Sequence, residues 1–448
     1  MTEALYHRPL NFESPLVADL LSALKTLDHL VYLNNNVQPF IACCAQEYFI
    51  AQTSETQCFK RTEIERYQAV PSEFNLEIDG SKTPQKHGFS GGYVGFISYD
   101  YAAQQYIDYP DRPQPGLFIG QFSSYIKPSS EGWMFYSHDS QAEQIFNHIQ
   151  GLLERDLSYP TFQLKSPCTA RWKKSVYTQA FQEIQDYIVA GDCYQINLTQ
   201  EFSGRAQGSL LATAQAFWSL TEAPYAGYLR IGDFELLSCS PELFIDFEAD
   251  RKIVTKPIKG TMPRYSDPVL DEQSKHILKT SEKDQAENVM IVDLLRNDLS
   301  VYAETGTVKT PKLFNIESFN QVHHMVSEVE ATLKENVNPF EVLMSALPGG
   351  SITGAPKIRA MQIIEELEGA PRGAYCGSMG YFNFDGTGSW NILIRSIQKY
   401  QEEVSLWAGG GITIASDCDA EYQECFDKVS AMMNLLNTWY EPNVKSES

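Results

Sequence analysis

The sequence predicts an α+β fold built around antiparallel strands, and three observations indicate this class. About the first 165 residues read as short strand-like segments with turn residues between them, and longer helical segments come later in the chain. Neighbouring strand segments are joined by short glycine-containing turns such as NFDGTGSW. Strands joined by so short a turn must be antiparallel, so the pattern excludes a wholly parallel, doubly wound sheet.

Length and composition are those of a soluble globular protein. With 448 residues, 43% of them hydrophobic and 21% charged, the chain could form two or three average domains or one large body. It contains no run of about 18 apolar residues that could span a bilayer. The N-terminal stretch MTEALYHRPLNFESP lacks the basic and then apolar profile of a signal peptide, so we expect a cytoplasmic protein.

Charge and cysteine content exclude further classes. The formal net charge of −22 argues against nucleic acid or an anionic membrane as a partner. Nine cysteines, an odd number without a C-x-x-C pair, indicate neither a disulfide framework nor a zinc site. A chain this acidic needs local positive charge wherever it binds an anionic ligand.

The N-terminal part contains strand segments such as PFIACCAQEYFIA and GGYVGFISYDYA. Residues 141–156 predict a helix, because their apolar residues recur on one face. Residues 157–171, LSYPTFQLKSPCTAR, contain two prolines and little periodicity, which is typical of a linker. We therefore divide the chain into an N-terminal region, residues 1–165, and a second region, residues 170–436.

The second region contains longer helices between its strands. In KKSVYTQAFQEIQDYIVAG the apolar residues repeat at helical spacing and Gly191 ends the helix. In SEKDQAENVMIVDLLRNDL, Ser281 is the expected N-cap, and a last helix is predicted from about Asp419 to Leu436. The predicted strands are CYQINLTQEF, GAYCGSMGYFNF, SWNILIRSIQKY and EVSLWAGGGITIA.

Two glycine-rich segments could bind an anion. Gly409, Gly410 and Gly411 end a strand, where converging backbone N–H groups could form a nest. Such a triplet is also typical of a bulge or a tight packing point. The longer segment PGGSITGAPK, which includes Ser351, enters a helix and could bind an anion there. Neither segment matches a nucleotide-binding P-loop.

Three acidic residues could bind a metal ion. Glu421 and Glu424 lie three apart on one face of the last helix, and Glu287 precedes an apolar run in another helix. Ligation by a few carboxylate oxygens alone is typical of Mg²⁺. The alternative is that all three are solvated surface residues, the first two complementing the helix dipole.

Three basic residues have unusual surroundings. Lys259 lies in TKPIKGTMPR, where Pro257 and Gly260 hold the backbone in a tight geometry. Arg395 lies in the alternating strand NILIRSIQKY, which favours a role in holding a carboxylate, because an unpaired buried charge is costly. His324 in QVHHMVSEVE is either an acid–base group or a structural histidine, and Lys259 could equally be a lysine paired with an acid.

Five segments together resemble one family. In the order and spacing of the chorismate-utilising enzymes, the chain contains PIKGTMPR, AENVMIVDLLRNDL, LPGGSITGAPK, RGAYCGSMGYF and GGGITIASDCDAEYQECFDK. That family includes the anthranilate, aminodeoxychorismate, isochorismate and salicylate synthases. The resemblance is close over residues 170–435 and loose before them. It implies two large antiparallel β-sheets that form a sandwich with helices packed outside, and an active site in a cleft between the sheets.

The resemblance also implies roles for these residues. Glu287 and Glu424 match Mg²⁺ ligands, with Glu421 beside them, and the ion would bridge to the ring carboxylate of chorismate. An acidic chain can bind a dianion in this way. Glu242 in SCSPELFI resembles the general acid, and His324 matches a polar position near the leaving group. The positions that resemble substrate contacts are Gly260, Thr261, Ser351, Tyr375, Arg395, Gly409, Gly410 and Gly411.

The residue at position 259 distinguishes branches of the family. Aminodeoxychorismate synthases characteristically have PIKGT, as here, whereas the anthranilate synthases that resemble this chain have PIAGT. Lys259 can add at C2 of chorismate while the C4 hydroxyl leaves, and ammonia then attacks C4 and expels the lysine. The resemblance therefore implies an aminodeoxychorismate synthase on the route to 4-aminobenzoate and folate, with anthranilate synthase component I as the alternative.

A partner is implied as well. No segment resembles the cysteine nucleophile elbow of class I amidotransferases, so ammonia would come from a separate glutamine amidotransferase subunit or from solution. Pro224, Tyr225 and Ala226 in APYAGYL resemble one wall of the tryptophan pocket of regulated anthranilate synthases, but VYLNNNVQPFIACC differs from the other wall. Two further alternatives are an isochorismate synthase, which uses water, and a catalytically silent subunit that binds the glutaminase.

Overall fold

The structure is a computed structural model that describes residues 5–36, 38–52, 55–76, 78, 88–110, 112–155, 157–319 and 322–442. The helices are α1 (Val17–Ala23), α2 (Tyr99–Ala103), α3 (Ala142–Leu153), α4 (Lys174–Ala190), α5 (Leu211–Thr221), α6 (Pro268–Lys279), α7 (Glu282–Ser300), α8 (Pro339–Ala346), α9 (Lys357–Glu368) and α10 (Cys418–Asn437). The strands are β1 (Tyr6–Pro9), β2 (Val31–Leu33), β3 (Phe40–Ala42), β4 (Glu47–Ala51), β5 (Thr56–Glu63), β6 (Arg66–Val70), β7 (Gly92–Ile97), β8 (Leu117–Phe122), β9 (Ser124–Ser129), β10 (Gly132–Ser137), β11 (Phe162–Leu164), β12 (Thr169–Ala170), β13 (Gln195–Gly208), β14 (Tyr225–Ile231), β15 (Phe234–Ser240), β16 (Leu243–Phe247), β17 (Lys252–Thr255), β18 (Ile258–Pro263), β19 (Lys309–Ser318), β20 (Val322–Thr332), β21 (Gly354–Ala355), β22 (Ser378–Asn383), β23 (Gly388–Asn391), β24 (Ser396–Tyr400) and β25 (Glu403–Ile412).

Two large sheets form the centre of the fold. Within the described residues the first sheet has 13 strands, in the order β1-β10-β9-β3-β2-β14-β15-β24-β25-β13-β11, with β12 and β21 also on β13. The second has 12 strands, in the order β18-β20-β17-β16-β23-β22-β7-β8-β4-β5-β6, with β19 also on β20. The long pairs β13–β25 and β7–β22 are antiparallel, as the hairpin turns predict.

The two sheets pack face to face. The rings of Phe96 on β7 and Phe234 on β15 lie 5.3 Å apart, and those of Phe40 on β3 and Tyr381 on β22 lie 5.4 Å apart. Six helices (α1, α3, α4, α5, α9 and α10) share an apolar core with the first sheet, whereas α2, α7 and α8 share one with the second. This arrangement confirms the predicted sandwich of two antiparallel sheets with helices outside.

Both sheets contain strands from either side of residue 165. In the first sheet β2 pairs with β14, and in the second β7 pairs with β22. The segment predicted as a linker forms β11 and β12, which both pair with β13. The division into residues 1–165 and 170–436 stays a prediction.

The ends of the predicted helices are confirmed. Gly191 ends α4 with a left-handed φ of 85°, and the hydroxyl of Ser281 accepts a hydrogen bond from Asp284 N at 3.3 Å where α7 begins. The helices predicted at 141–156 and 419–436 correspond to α3 and α10. Among the described residues, no helix combines the length and the apolar character that a membrane span needs.

Three predicted strand segments are not single strands: GGYVGFISYDYA contains β7 and then α2, and PFIACCAQEYFIA and SWNILIRSIQKY each join strands of different sheets. The segment SWNILIRSIQKY contains β23 of the second sheet and β24 of the first, so the chain crosses between sheets instead of continuing as one strand. Arg395 lies at this crossing with a φ of 49°, and Cys44, with a φ of 55°, lies at a similar crossing between β3 and β4. Left-handed residues that are not glycine leave no turn signal in the sequence, which explains the errors at the two crossings.

Candidate active site

The residues predicted to form the catalytic site line one cavity of about 480 Å³. The cavity lies where β13 and β25 of the first sheet and β18 and β20 of the second approach α7 and α10. The predicted residues along its wall are Glu242, Lys259, Gly260, Thr261, Glu287, His324, Ser351, Tyr375, Arg395, Gly409, Gly410, Gly411, Glu421 and Glu424. Side chains from distant parts of the sequence therefore share one surface, although the role of each stays a prediction.

The glycine triplet has a different geometry from the predicted nest. Gly409–Gly411 continue the regular pairing of β25 with β13. A Cβ atom on Gly409 would lie 2.0 Å from a backbone oxygen of β13, and one on Gly410 would lie 3.0 Å from Oε2 of Glu421 and 3.3 Å from Oε1 of Glu424. The absence of side chains lets the two strands pair closely and lets two carboxylates reach the backbone.

The three predicted metal ligands come from two helices, Glu421 and Glu424 from α10 and Glu287 from α7. Glu421 is 3% exposed and accepts a hydrogen bond from Ser416 Oγ at 2.8 Å, so it is not a solvated surface residue. Burial raises the pKa of Glu287 above its usual value. Burial acts in the same direction on Glu424, but Lys428, Lys283 and Lys259 together outweigh it and lower the pKa of that carboxyl.

The donor chemistry of this cluster fits Mg²⁺, because it offers carboxylate oxygens. In the described part of the chain, no three His, Cys, Asp or Glu side chains already converge closely enough to hold an ion. Lysines stand beside the carboxylates instead: Lys283 Nζ lies 3.6 Å from Glu421 Oε1, and Lys428 Nζ lies 2.7 Å from Glu424 Oε1.

Lys259 lies in an irregular part of β18. The pairing with β20 shifts register between Ile258 and Thr261, and Gly260 has a φ of 81°, which favours glycine. A Cβ atom on Gly260 would lie 2.7 Å from a methyl carbon of Leu278. The tight geometry predicted for this segment is therefore a bulge, and it directs Lys259 to the cavity.

Glu242 faces the same cavity as Lys259 and is 7% exposed. Burial raises the pKa of Glu242 to about 7, although Lys259 and the backbone N–H of Ile258, which donates to Oε1 at 3.4 Å, oppose the shift. A carboxyl group that keeps its proton near neutral pH can act as a general acid. The surroundings of Glu242 are compatible with the predicted role.

His324 on β20 bonds the neighbouring strand, with its Nδ1 atom 2.8 Å from Oγ1 of Thr261. Burial lowers the pKa of His324 to about 4, and Arg395 acts in the same direction. The imidazole is therefore neutral at neutral pH. The imidazole can accept or donate a hydrogen bond in the cavity, but it adds no positive charge there.

Arg395, Tyr375 and Ser351 also line the cavity. Burial lowers the pKa of Arg395, while Glu242 acts against this shift, and the guanidinium donates no hydrogen bond to the residues that the structure describes. The ring of Tyr375 stacks on Trp407 with centroids 6.0 Å apart and an interplanar angle of 16°. Ser351 lies in a short 3₁₀ turn before β21.

The predicted amino-acid pocket is separate from this cavity. Tyr225 lines a second cavity of about 750 Å³. The carbonyl groups of Pro224 and Ala226 accept hydrogen bonds from the backbone of Asn36 at 2.7 Å and Asn34 at 2.8 Å. The two segments compared with the walls of a tryptophan pocket are therefore adjacent, and binding of an amino acid there stays a prediction.

The sequence reasoning missed twelve further residues of this cavity, and four of them are Asn197, Lys283, Trp407 and Lys428. Two of them could have been found from helical spacing. Lys283 lies four residues before Glu287, and Lys428 lies four residues after Glu424, so each faces the same way as a predicted ligand. The residues on β13 and β25 have no such signal, because strand pairing decides which of them reach the site.

The cavity of this two-sheet sandwich combines carboxylates, lysines and an arginine that donates no hydrogen bond to a described residue, a lining suited to a small anionic molecule. The chain belongs to the chorismate binding enzymes, since the model of that family matches residues 28–434. The family resemblance of the five sequence segments is thereby confirmed.

Named relatives lie in two branches of the family. Aminodeoxychorismate synthase component 1 of Salmonella typhimurium is 38% identical over 361 residues, which cover 78% of this chain and 77% of the relative. Anthranilate synthase component 1 of Thermus thermophilus is 33% identical over 379 residues, which cover 79% of each protein. The crystal structure of anthranilate synthase component I from Streptococcus pneumoniae TIGR4 has a TM-score of 0.75 at 25% identity and covers 88% of this chain and 91% of that one.

Proposed function

We propose that this chain is the chorismate-binding subunit of an aminodeoxychorismate synthase, which converts chorismate and ammonia to 4-amino-4-deoxychorismate. One observation favours this function over the alternatives: Lys259 lines the cavity from a bulge in β18. A nucleophilic lysine is what amination at C4 needs, whereas ammonia can attack C2 directly in the anthranilate reaction. The 38% identity to a protein named aminodeoxychorismate synthase component 1 supports the same choice.

The reaction replaces one difficult displacement with two easier ones. The neutral amine of Lys259 forms a bond to C2 of chorismate, the double bonds shift, and the C4–O bond breaks as Glu242 gives its proton to the departing hydroxyl. Ammonia then forms a bond to C4, the double bonds shift back, and the C2–N bond to Lys259 breaks. A proton released by the attacking nitrogen restores Glu242, so the net reaction exchanges a hydroxyl for an amine and releases water.

The other groups of the cavity bind and orient the substrate. Arg395 supplies an uncommitted guanidinium for a carboxylate of chorismate. Glu287, Glu421 and Glu424 would hold Mg²⁺, which when bound neutralises a second carboxylate. The neutral His324 lies on the same wall as Thr261 and can bond a hydroxyl of the ring.

The same proposal includes a second protein. The relatives are named component 1, which implies another component, and the chemistry of the reaction makes a glutamine amidotransferase that supplies ammonia the expected partner. Dependence on Mg²⁺ and a cytoplasmic location are further parts of the proposal.

A product assay with chorismate, Mg²⁺ and an ammonium salt tests the function. We expect 4-amino-4-deoxychorismate, detected as 4-aminobenzoate after addition of a separate lyase. Anthranilate without the lyase would assign the chain to the other branch. Isochorismate without ammonia would identify a water-using enzyme, and the absence of any product would indicate a silent subunit.

Mass spectrometry tests the covalent step. Incubation with chorismate and Mg²⁺, but without ammonia, should leave an adduct on Lys259. The matched control is Lys256, three residues earlier, whose Nζ lies 3.6 Å from Oε2 of Glu328 and which does not line the cavity. An adduct on Lys256 as well, or on neither lysine, would contradict the mechanism.

A further inference from the structure

A buried ion pair lies directly behind one wall of the cavity. Arg372 is fully buried and Glu368 is 1% exposed. The guanidinium donates from Nε to Oε2 at 2.9 Å and from Nη2 to Oε1 at 2.7 Å, which makes the pair bidentate. The two residues lie four apart, Glu368 at the end of α9 and Arg372 in the turn after it. Neither is among the residues that line the cavity.

Two further hydrogen bonds of the guanidinium go to the cavity wall, and two that Glu368 accepts come from Thr199 on β13. Arg372 donates to the carbonyl of Ile352 at 2.9 Å and to that of Asn197 at 2.8 Å, and both of these residues line the cavity. The side chain of Asn197 donates to the same carbonyl of Ile352 at 3.0 Å. Oε1 of Glu368 accepts from the backbone N–H of Thr199 at 2.9 Å and from its hydroxyl at 2.7 Å.

The guanidinium also lies close to two aromatic rings, that of Tyr375, which lines the cavity, and that of Tyr99, which is buried behind it. Its central carbon lies 4.7 Å from the ring centroid of Tyr99 and 5.9 Å from that of Tyr375. Tyr375 in turn stacks on Trp407, another residue of the cavity. One buried cation therefore contacts the turn that contains Ser351, the strand β13 and the ring of Tyr375.

We infer that Arg372, oriented by Glu368, is a positioning residue for chorismate. It touches no substrate itself, but it fixes three parts of the wall relative to one another, so the geometry of the bound ring depends on it. Arginine suits this position because its planar fork donates to several fixed acceptors at once, whereas lysine offers a single point charge. The inference depends on chorismate as the ligand, and not on which product the enzyme forms.

The experiment compares Arg372→Lys with Arg61→Lys in the full chain. Arg61 is a matched control, since it forms a buried ion pair with Asp139, with side-chain exposures of 7% and 1%, and does not contact the cavity wall. Isothermal titration with chorismate and Mg²⁺, without ammonia, measures the dissociation constant of each variant. We expect Arg372→Lys to bind chorismate at least about tenfold more weakly, and Arg61→Lys to bind it like the natural chain.

The same two variants should lose thermal stability to a similar extent, which separates positioning from folding. Equal chorismate affinity in the two folded variants would overturn the inference. If Arg372→Lys does not fold, Glu368→Gln provides the test. This substitution keeps an oxygen that accepts from Thr199 and weakens only the interaction with the guanidinium of Arg372. Unchanged chorismate affinity in Glu368→Gln would likewise overturn it. Because the measurement is of binding, the inference stands or fails independently of whether the product is aminodeoxychorismate.

Discussion

Two arginines, Arg395 on the wall of the cavity and Arg372 buried behind it, differ in how their charge is balanced. Arg372 is fully buried, and although burial alone lowers its pKa, Glu368 raises that pKa well above the usual value. Arg395 faces the cavity and donates to no described residue, and burial lowers its pKa despite Glu242. A buried charge whose partners lie within the chain supports the fold. A charge that donates to no described residue, such as that of Arg395, is the expected contact for an anionic ligand.

The same comparison applies to lysines, where the largest effect on activity is expected. Lys259 faces the cavity, whereas Lys256 pairs with Glu328 outside it. Lys259→Ala removes the proposed nucleophile and should reduce formation of aminodeoxychorismate by about 10⁴-fold or more, measured at saturating ammonia. Lys256→Ala should retain activity within about twofold, as most surface substitutions do. Comparable rates in the two variants would remove the distinction between the lysines and the covalent role with it.

Glu242 and Glu368 provide the corresponding test among buried acids. The pKa of Glu242 is raised to about 7, so its protonated, proton-donating form is lost as the pH rises through 7. The value of kcat/KM should therefore fall above about pH 7, and Glu242→Gln should lower kcat/KM by about 10²–10⁴-fold and abolish this alkaline decline. Glu368→Gln, which changes the paired acid, should keep the decline. An alkaline decline that persists in Glu242→Gln would assign the proton to another group.

Substitution of the two arginines should have very different effects on the free energy of unfolding. Arg372→Met leaves Glu368 as a buried, unpaired carboxylate, so the free energy of unfolding should fall by about 3–5 kcal/mol. Arg395→Met removes a charge that donates no hydrogen bond to a described residue and should change the free energy of unfolding by no more than about 0.5 kcal/mol. Urea denaturation of both variants measures the difference. Equal losses in the two variants would show that the contrast drawn from their hydrogen bonds is wrong.

Arg395 should matter for chorismate binding although it matters little for stability. Its guanidinium is available to a carboxylate, and a hydrogen bond to a charged group contributes about 1.5–3 kcal/mol. Arg395→Met should therefore weaken chorismate binding by roughly 10–100-fold while the thermal midpoint stays unchanged. Titration calorimetry measures the affinity. Full chorismate affinity in this variant would mean that the positive charge of the wall serves another purpose.

The smallest effect on activity is expected at the proposed Mg²⁺ ligands, whose carboxylates lie beside lysines. Glu424→Gln removes a proposed Mg²⁺ ligand and should raise the Mg²⁺ concentration for half-maximal activity by at least about tenfold. Asp419→Asn on the same helix, which breaks a surface pair with Lys174, is the control and should leave that concentration unchanged. An unaltered Mg²⁺ titration in Glu424→Gln would remove this residue from the proposed ligands.

Sequence patterns predicted the helices better than the sheet crossings. Periodicity and capping residues located α4 and α7, because Gly191 and Ser281 signal helix ends chemically. The crossings at Cys44 and Arg395 lie within apolar, strand-like segments and use left-handed residues other than glycine, so no local signal reveals them. Whether an alternating segment stays in one sheet is decided by long-range packing, which a single sequence does not display.

The site shows the same limit. Family motifs brought together residues such as Lys259 and Glu424, whose individual patterns are equally typical of surface positions. Lys428 could have been added from its helical spacing. Arg372 could not, since its importance depends on carbonyl groups of Ile352 and Asn197 that only the folded chain brings to its side.

Because both sheets pair early strands with late ones, some strands must remain unpaired while the chain is being synthesised. Strand β7 pairs with β22, which is synthesised about 280 residues later, and β2 likewise pairs with the later strand β14. At ribosomal rates of about 5–20 residues per second, the open side of β7 stays unpaired on the nascent chain for roughly a quarter of a minute to a minute. Such unpaired edges promote aggregation, so a chain interrupted before β22 should be insoluble and dependent on chaperones.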